Sequence, residues 1–334
     1  MSKVAHSSDQ RVSGRHGWTL PHVLVFPAVA LGMWMIYHPW PTTGWVSTSV
    51  WIFATGYTLL SLSSCFHETT HQTFGGSRFL SIWVGRLIGT VFLIPYTVYR
   101  ESHIRHHAYL NTPSDWELWP YSDPNTSRGF RRVFVWFDLM LGMAAAPYIY
   151  GRIFFHRDSP LTSKQIRRTI WMEYAFIAVT WGLFLLTLDH FHVLRTTHSQ
   201  WAMALFVMTT LQTGRKLTEH LGMVSFDPIL GTRTVVGRNW LTRWTTYLQF
   251  DIFVHGPHHR HPRLHHGQLK DKMREYVDNH HDVAVPVFGS YWKATVNMLP
   301  HMWRNPGVGV NLGAAMPGKK SVANDADTGA RLAA

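Results

Sequence analysis

The sequence predicts an all-α integral membrane protein. Two transmembrane helical hairpins, about four spans in all, are expected to carry interfacial helices and a cytosolic His-rich cap. Three observations lead there. No Asp, Glu, Lys or Arg occurs between Arg15 and Glu68, and apolar stretches recur at 174–188 and 196–214. Charged residues make up only 15% of the 334, where soluble domains average about 25%. The third observation is 23 histidines, nine of them in four clusters, three of which begin just beyond an apolar stretch.

Residues 1–16 precede the first apolar run and are expected to form a cytosolic N-terminal tail; they show no cleavage pattern of a signal peptide. The first hairpin is expected at 21–37 and 45–66, with the PWPTTG sequence at 39–44 as its turn. A span needs about 20 apolar residues, and Pro27 is tolerated in a spanning helix. The stretches 79–99 and 133–155 are apolar but carry Arg86 and Asp138 near their middles. A charge at the bilayer centre costs about 2.5–3.5 kcal/mol. Each stretch is therefore expected to be a helix lying at the interface or packed on the cytosolic part. The second hairpin is expected at 170–188 and 198–214, joined by a short outer loop. The membrane domain thus runs 17–304. Residues 305–334 are Gly/Ala-rich without an aromatic residue and are expected to be a disordered tail.

Lys and Arg number 31 against 19 Asp and Glu, a net charge of +12. Such a balance suits nucleic acid or an anionic membrane face. The distribution decides between them: the expected outer loops hold only Arg195, while the inner segments hold Lys3, Arg100, Arg128, Lys164, Lys216 and others. That is the positive-inside pattern. Both termini and the histidine clusters are expected on the cytosolic side, with a bacterial inner membrane as the location, and no nucleic-acid partner is expected. The single Cys65 excludes an intramolecular disulfide framework, a Cys zinc finger and a Cys-ligated iron–sulfur cluster.

Four clusters hold the histidines of interest: His67 and His71 in HETTH; His103, His106 and His107 in HIRHH; His220 in TEHLG; and His255, His258 and His259 in HGPHH. Residues i, i+3 and i+4 share one helix face, so each box aims its imidazoles in one direction. Imidazole is the commonest metal ligand among side chains. Nine are too many for one tetrahedral zinc and suit two metals of higher coordination number. Imidazole alone does not choose among Zn, Fe, Cu and Ni. Pro257 lacks a backbone donor and biases Gly256 away from helix, which puts the ligation by His255 in question. Isolated histidines such as His22, His156 and His301 are expected to be interfacial packing. HETTH also satisfies the HExxH zinc metalloprotease signature with Glu68 as base, but that reading leaves most of the other boxes idle. A poly-His transporter would place its ligands inside the spans, and here they lie outside.

The order HxxxH, HxxHH, EHxG, HxxHH resembles the integral-membrane fatty acid desaturase and hydroxylase superfamily. RESHIRHHAYLNTPSD from Arg100 to Asp115 resembles its second box with the following Asn and Asp. TEHLGM, GTRTVVGRNWLTRW and HGPHHRHP resemble the desaturase third-box region. The resemblance covers roughly residues 45–272 and implies a di-iron centre held by the nine histidines. It implies O2-dependent removal of two hydrogens from an unactivated fatty acyl chain, lipid- or thioester-linked. It further implies an external electron donor: ferredoxin, cytochrome b5 or a similar carrier with its reductase. No HPGG motif of a fused b5 domain occurs. Glu68, Glu101, Asp115 and Glu219 are candidates for orienting the ligating imidazoles. Lys216 stands where some acyl desaturases carry an Asn. A hydroxylase or ketolase of the same superfamily, or a desaturase of a small non-lipid metabolite, is the alternative.

Overall fold

A computed structural model describes residues 17–37, 44–191 and 194–316, without the side chains of 194–199 and 201. The expected tail at 1–16, most of the PWPTTG turn, and residues 317–334 lie outside the described residues.

The regular structure of the described residues is helical apart from one short parallel pairing of β1 (Thr234–Val235) with β2 (Val287–Phe288). The two expected hairpins correspond to α1 (Leu20–Tyr37) with α2 (Gly44–Thr70), and α7 (Lys164–His190) with α8 (Leu194–His220). At 27 residues each, α2 and α7 are long and apolar enough to cross a bilayer. At 1.5 Å per residue such a helix reaches about 40 Å. The apolar α1 is shorter, and α8 is long but carries Gln212, Arg215, Lys216 and Glu219 toward its end. Helix α2 is central, packed on both α1 and α8. Gly56 sits at its crossing with α8, where an added Cβ would lie 2.6 Å from Val207 Cγ1. Helix α7 is peripheral and turns Phe176, Val179, Leu183 and Leu186 outward. Exposed aliphatic and aromatic residues in a row are what a lipid-facing helix requires.

The apolar stretches 79–99 and 133–155 are not single helices as expected; each is a bent pair. The first divides into α3 (Arg78–Val91) and α4 (Tyr96–Ala108), turned by 108°. The second divides into α5 (Arg128–Met140) and α6 (Gly142–Phe155), turned by 118°. At the first corner Leu93 adopts φ +60°, and Pro95 precedes α4. A left-handed residue and a proline both stop an α-helix. If each bent pair counts as one crossing, the described residues hold up to four candidate spans. The charges that set these stretches apart are paired. Arg86 Nε meets Glu173 of α7 at 3.0 Å, and Asp138 accepts from Lys216 Nζ at 2.6 Å and from the Tyr121 hydroxyl at 3.0 Å. Lys216 is thereby turned to Asp138.

The expected disordered tail does not begin at 305. Residues 305–312 are packed: Val308 is buried and its N–H donates to the Tyr121 carbonyl, and the Asn311 side chain donates to the same oxygen at 2.7 Å. Gly309, at φ +47°, presses on the backbone of Asn111, where any Cβ would collide with the Asn111 carbonyl oxygen. Glycine content read as disorder is here the condition for close approach.

Four shorter α-helices follow α8: α9 (Trp240–Leu248), α10 (His255–Arg260), α11 (Leu269–Asn279) and α12 (Tyr291–Arg304).

Candidate metal centre

Four elements bring the histidine boxes together. His67 lies in the last turn of α2 and His71 just past its end, where Gln72 at φ +61° terminates the helix. Thr69 and Thr70 bond back to the carbonyls of Phe66 and His67, so the closing turn is tight. Helix α4 carries His103, His106 and His107 on consecutive turns. Helix α8 ends on His220.

The Thr-Arg-Thr run after α8 has a structural role. Buried Arg233 donates to the Thr218 and Leu221 carbonyls at 3.1 and 2.6 Å, and its own N–H donates to the Glu219 carbonyl. These are the carbonyls a helix end leaves without partners. Arg233 therefore fixes the turn that presents His220.

Helix α10 begins at His255, so Pro257 falls in its first turn. There a missing N–H breaks no helical bond. The Gly256 N–H is taken by Thr234 Oγ1 at 2.9 Å. Pro257 thus leaves His255 in the helix with His258 and His259.

All nine imidazoles converge, in two groups. His67, His71, His103, His107 and His258 form one; His106, His220, His255 and His259 form the other. Within each group one nitrogen per ring lies within 4.8 Å of all the others. Inside them, His103 Nε2 is 3.0 Å from His107 Nε2, and His255 Nε2 is 2.8 Å from His220 Nε2 and 3.0 Å from His259 Nε2. The Nε2 atoms of His67, His71 and His258 are buried without a hydrogen-bond partner. Buried nitrogens normally have partners. Lone pairs gathered without donors are the arrangement that a cation satisfies, so the residues fit metal. Burial first, then the neighbouring imidazoles and arginines, holds His71, His255, His258 and His259 well below the usual imidazole range. They are neutral, as ligation requires.

The outward nitrogens are held as well. His106 Nδ1 meets Asp115 Oδ2 at 2.8 Å, His103 Nδ1 meets Glu117 Oε2 at 3.2 Å, and His255 Nδ1 donates to the Ile252 carbonyl at 3.1 Å. Asp115, one of the candidate carboxylates, thus stands against an imidazole of the second box. Glu117 was not among the expected carboxylates, although it stands two residues after Asp115. It accepts from Tyr150 as well. Of the other candidates, Glu68 accepts from Thr73 at 2.6 Å, and Glu219 is paired with Arg215 while lying 3.6 Å from His255 Nε2. Glu101 pairs with Arg100 at 2.7 Å and meets no imidazole among the described residues. Among the described isolated histidines, His22 is buried edge-on against Phe74 and Phe250, as packing predicts.

A family model described as fatty acid desaturase matches residues 44–291. The chain is similar to the chloroplastic omega-6 fatty acid desaturase of Brassica napus, 22% identical over 82% of this chain and 60% of that protein. It is 25% identical to the chloroplastic omega-3 fatty acid desaturase of Ricinus communis, over 75% of this chain and 56% of that protein. It is 29% identical to the sn-1 acyl-lipid omega-3 desaturase (ferredoxin) of Synechocystis, over 35% of this chain and 31% of that protein. The chain spans no more than about 60% of the length of these relatives.

Proposed function

The chain belongs to the fatty acid desaturase family, and from that premise we propose that it is a membrane oxidoreductase introducing a C=C bond into a fatty acyl chain. The observation that carries the reading is the division of nine imidazoles, eight of them buried and His107 half-buried, into groups of five and four. Two irons bound there would supply the oxidising power for R–CH2–CH2–R′ + O2 + 2 e⁻ + 2 H⁺ → R–CH=CH–R′ + 2 H2O.

The residues' own task is binding, orientation and exclusion of water. His67, His71, His103, His107 and His258 would hold one iron, and His106, His220, His255 and His259 the other. A five-imidazole group exceeds what a structural zinc takes. Asp115 and Glu117 hold the ring planes of His106 and His103 and fix which nitrogen faces inward. Burial of the rings removes competing water, which keeps the oxidising equivalents for one C–H pair.

The electrons would come from an electron carrier, since the single cysteine of these 334 residues cannot ligate an iron–sulfur cluster. The Synechocystis relative's name includes ferredoxin. A small acidic carrier matches the basic inner segments. The reading places both termini and the metal site on the cytosolic side of the membrane, on the Lys/Arg distribution.

The HExxH alternative is disfavoured, because His67 and His71 share their group with three other imidazoles and Glu68 is bonded to Thr73.

The test is expression with and without the chain, followed by mass spectrometry of total fatty acids and iron analysis of the purified protein. New unsaturated acyl chains and about two irons per chain are expected. His106→Ala should abolish the product while the protein stays in the membrane. Hydroxylated acyl chains would instead identify a hydroxylase. An unchanged acyl profile beside bound iron would refute the acyl substrate.

A further inference from the structure

The carboxylates around the histidine groups differ in which imidazole nitrogen they address. Asp115 and Glu117 meet Nδ1 of His106 and His103. For His103 that is the nitrogen opposite the one facing His107. Such outer contacts orient a ligand. Glu219 is placed differently. The Nδ1 of His255 is already used by the Ile252 carbonyl, and its Nε2 points inward, 2.8 Å from His220 Nε2 and 3.0 Å from His259 Nε2. Glu219 Oε2 lies 3.6 Å from that inner nitrogen. A carboxylate on the inner side cannot orient the imidazole by accepting from it once the nitrogen's lone pair is committed to a metal. Besides its pairing with Arg215, its Oε2 is on the side where the inner nitrogens gather.

Three further features hold it there. Glu219 directly precedes His220, its side chain is 4% exposed, and Arg215 one turn earlier donates to both of its oxygens at 3.1 and 3.3 Å. Arg215 is equally buried, so the ion pair is sealed beside the four-histidine group. The Glu219 backbone carbonyl is tied to the Arg233 N–H at 2.8 Å. Four imidazoles form this group against five in the other, so an oxygen donor here makes the donor numbers equal.

Resting on the two-metal reading above, we propose that Glu219 supplies a carboxylate donor to the metal held by His106, His220, His255 and His259. The two sites are then chemically unlike: five neutral nitrogens in one, four nitrogens and an anionic oxygen in the other. A hard anionic donor stabilises the higher charge on its own metal. Arg215 balances the carboxylate and holds it at the group.

The experiment is Mössbauer spectroscopy of the full chain purified after growth on ⁵⁷Fe, with iron content measured on the same samples. Wild type should give two distinct quadrupole doublets and about two irons per chain. Glu219→Gln should shift or remove one doublet and lower iron toward about one per chain, and His71→Ala should act on the other doublet. If Glu219→Gln fails to fold because Arg215 is left as an unpaired buried cation, the double variant Arg215→Met/Glu219→Gln carries the same comparison. Two irons and both doublets unchanged in the Gln variant would overturn the proposal while leaving the two-metal reading intact. A wild type that binds no iron would overturn both.

Discussion

Asp115 and His106 meet at 2.8 Å with both side chains buried, joined across a turn that begins where α4 ends. The carboxylate also accepts from the backbone N–H groups of Asn111 and Leu118. One side chain therefore shapes the loop after the second histidine box and aims one of its imidazoles.

Asp115→Asn preserves shape but removes the anionic partner of His106, and its single amide oxygen can accept at only one of the two positions that the carboxylate oxygens fill. Loss of an outer partner of a ligating histidine typically costs 10–100-fold in metal affinity or activity. A fall of about that size is expected in chelator-competition assays of iron binding and in product formation. Unchanged values in both would show that the contact is only structural.

Glu117→Gln should cost less, about tenfold or below. Its contact with His103 is longer, at 3.2–3.3 Å, and the carboxylate is shared with Tyr150. Ranking the two variants by the same assay tests whether distance to the imidazole sets the effect; Glu117 costing more than Asp115 would contradict it.

Lys216→Met leaves Asp138 buried with the Tyr121 hydroxyl as its remaining partner. Breaking a buried ion pair by removing one partner costs about 3–5 kcal/mol. A lower melting temperature in detergent is expected, and Lys216→Met combined with Asp138→Leu should recover most of it. A double variant as unstable as the single one would show that packing, not the orphaned charge, is responsible.

Gly56→Leu tests the α2–α8 crossing. An added Cβ would lie 2.6 Å from Val207 Cγ1 and 2.9 Å from the Ala204 carbonyl oxygen. Overpacking of this kind costs about 1–3 kcal/mol. Because α2 carries His67 in its last turn and α8 ends on His220, iron content should fall together with the melting temperature. Wild-type iron content in a destabilised variant would show that the crossing does not set the spacing of the boxes.

Stripping the purified protein with an Fe(II) chelator should abolish product formation and lower its melting temperature, since the nine imidazoles lose the cation that relieves their burial. Zinc added back is expected to restore the melting temperature but no activity. Activity with zinc alone would refute an iron-dependent oxidation.

Much of this was written in local patterns. The spacings HxxxH and HxxHH depend only on helix periodicity, and the apolar runs only on bilayer thickness. Both therefore survive without knowledge of the fold, and all nine histidines do come together. The corners between α3 and α4 and between α5 and α6 were not legible. The partners that make Arg86 and Asp138 tolerable, Glu173 and Lys216, lie far along the chain. Glu117 was missed for a similar reason: an acidic residue beside a tryptophan in a loop has no periodicity to mark its direction. The residues from Asn305 were misread because glycine signals both freedom and close contact, and only Asn111 against Gly309 decides which applies.

By itself the sequence determined that the chain is helical and apolar enough for a membrane, and that nine imidazoles are aimed in four bundles. It could not say how the bundles divide. The tertiary structure places His106 apart from His103 and His107, although all three lie on one short helix. The reason is angular: on α4 neighbouring positions are rotated by about 100°, so one helix can serve two groups. Which partner each ring then meets depends on α8 and α10, folded against it from more than a hundred residues away.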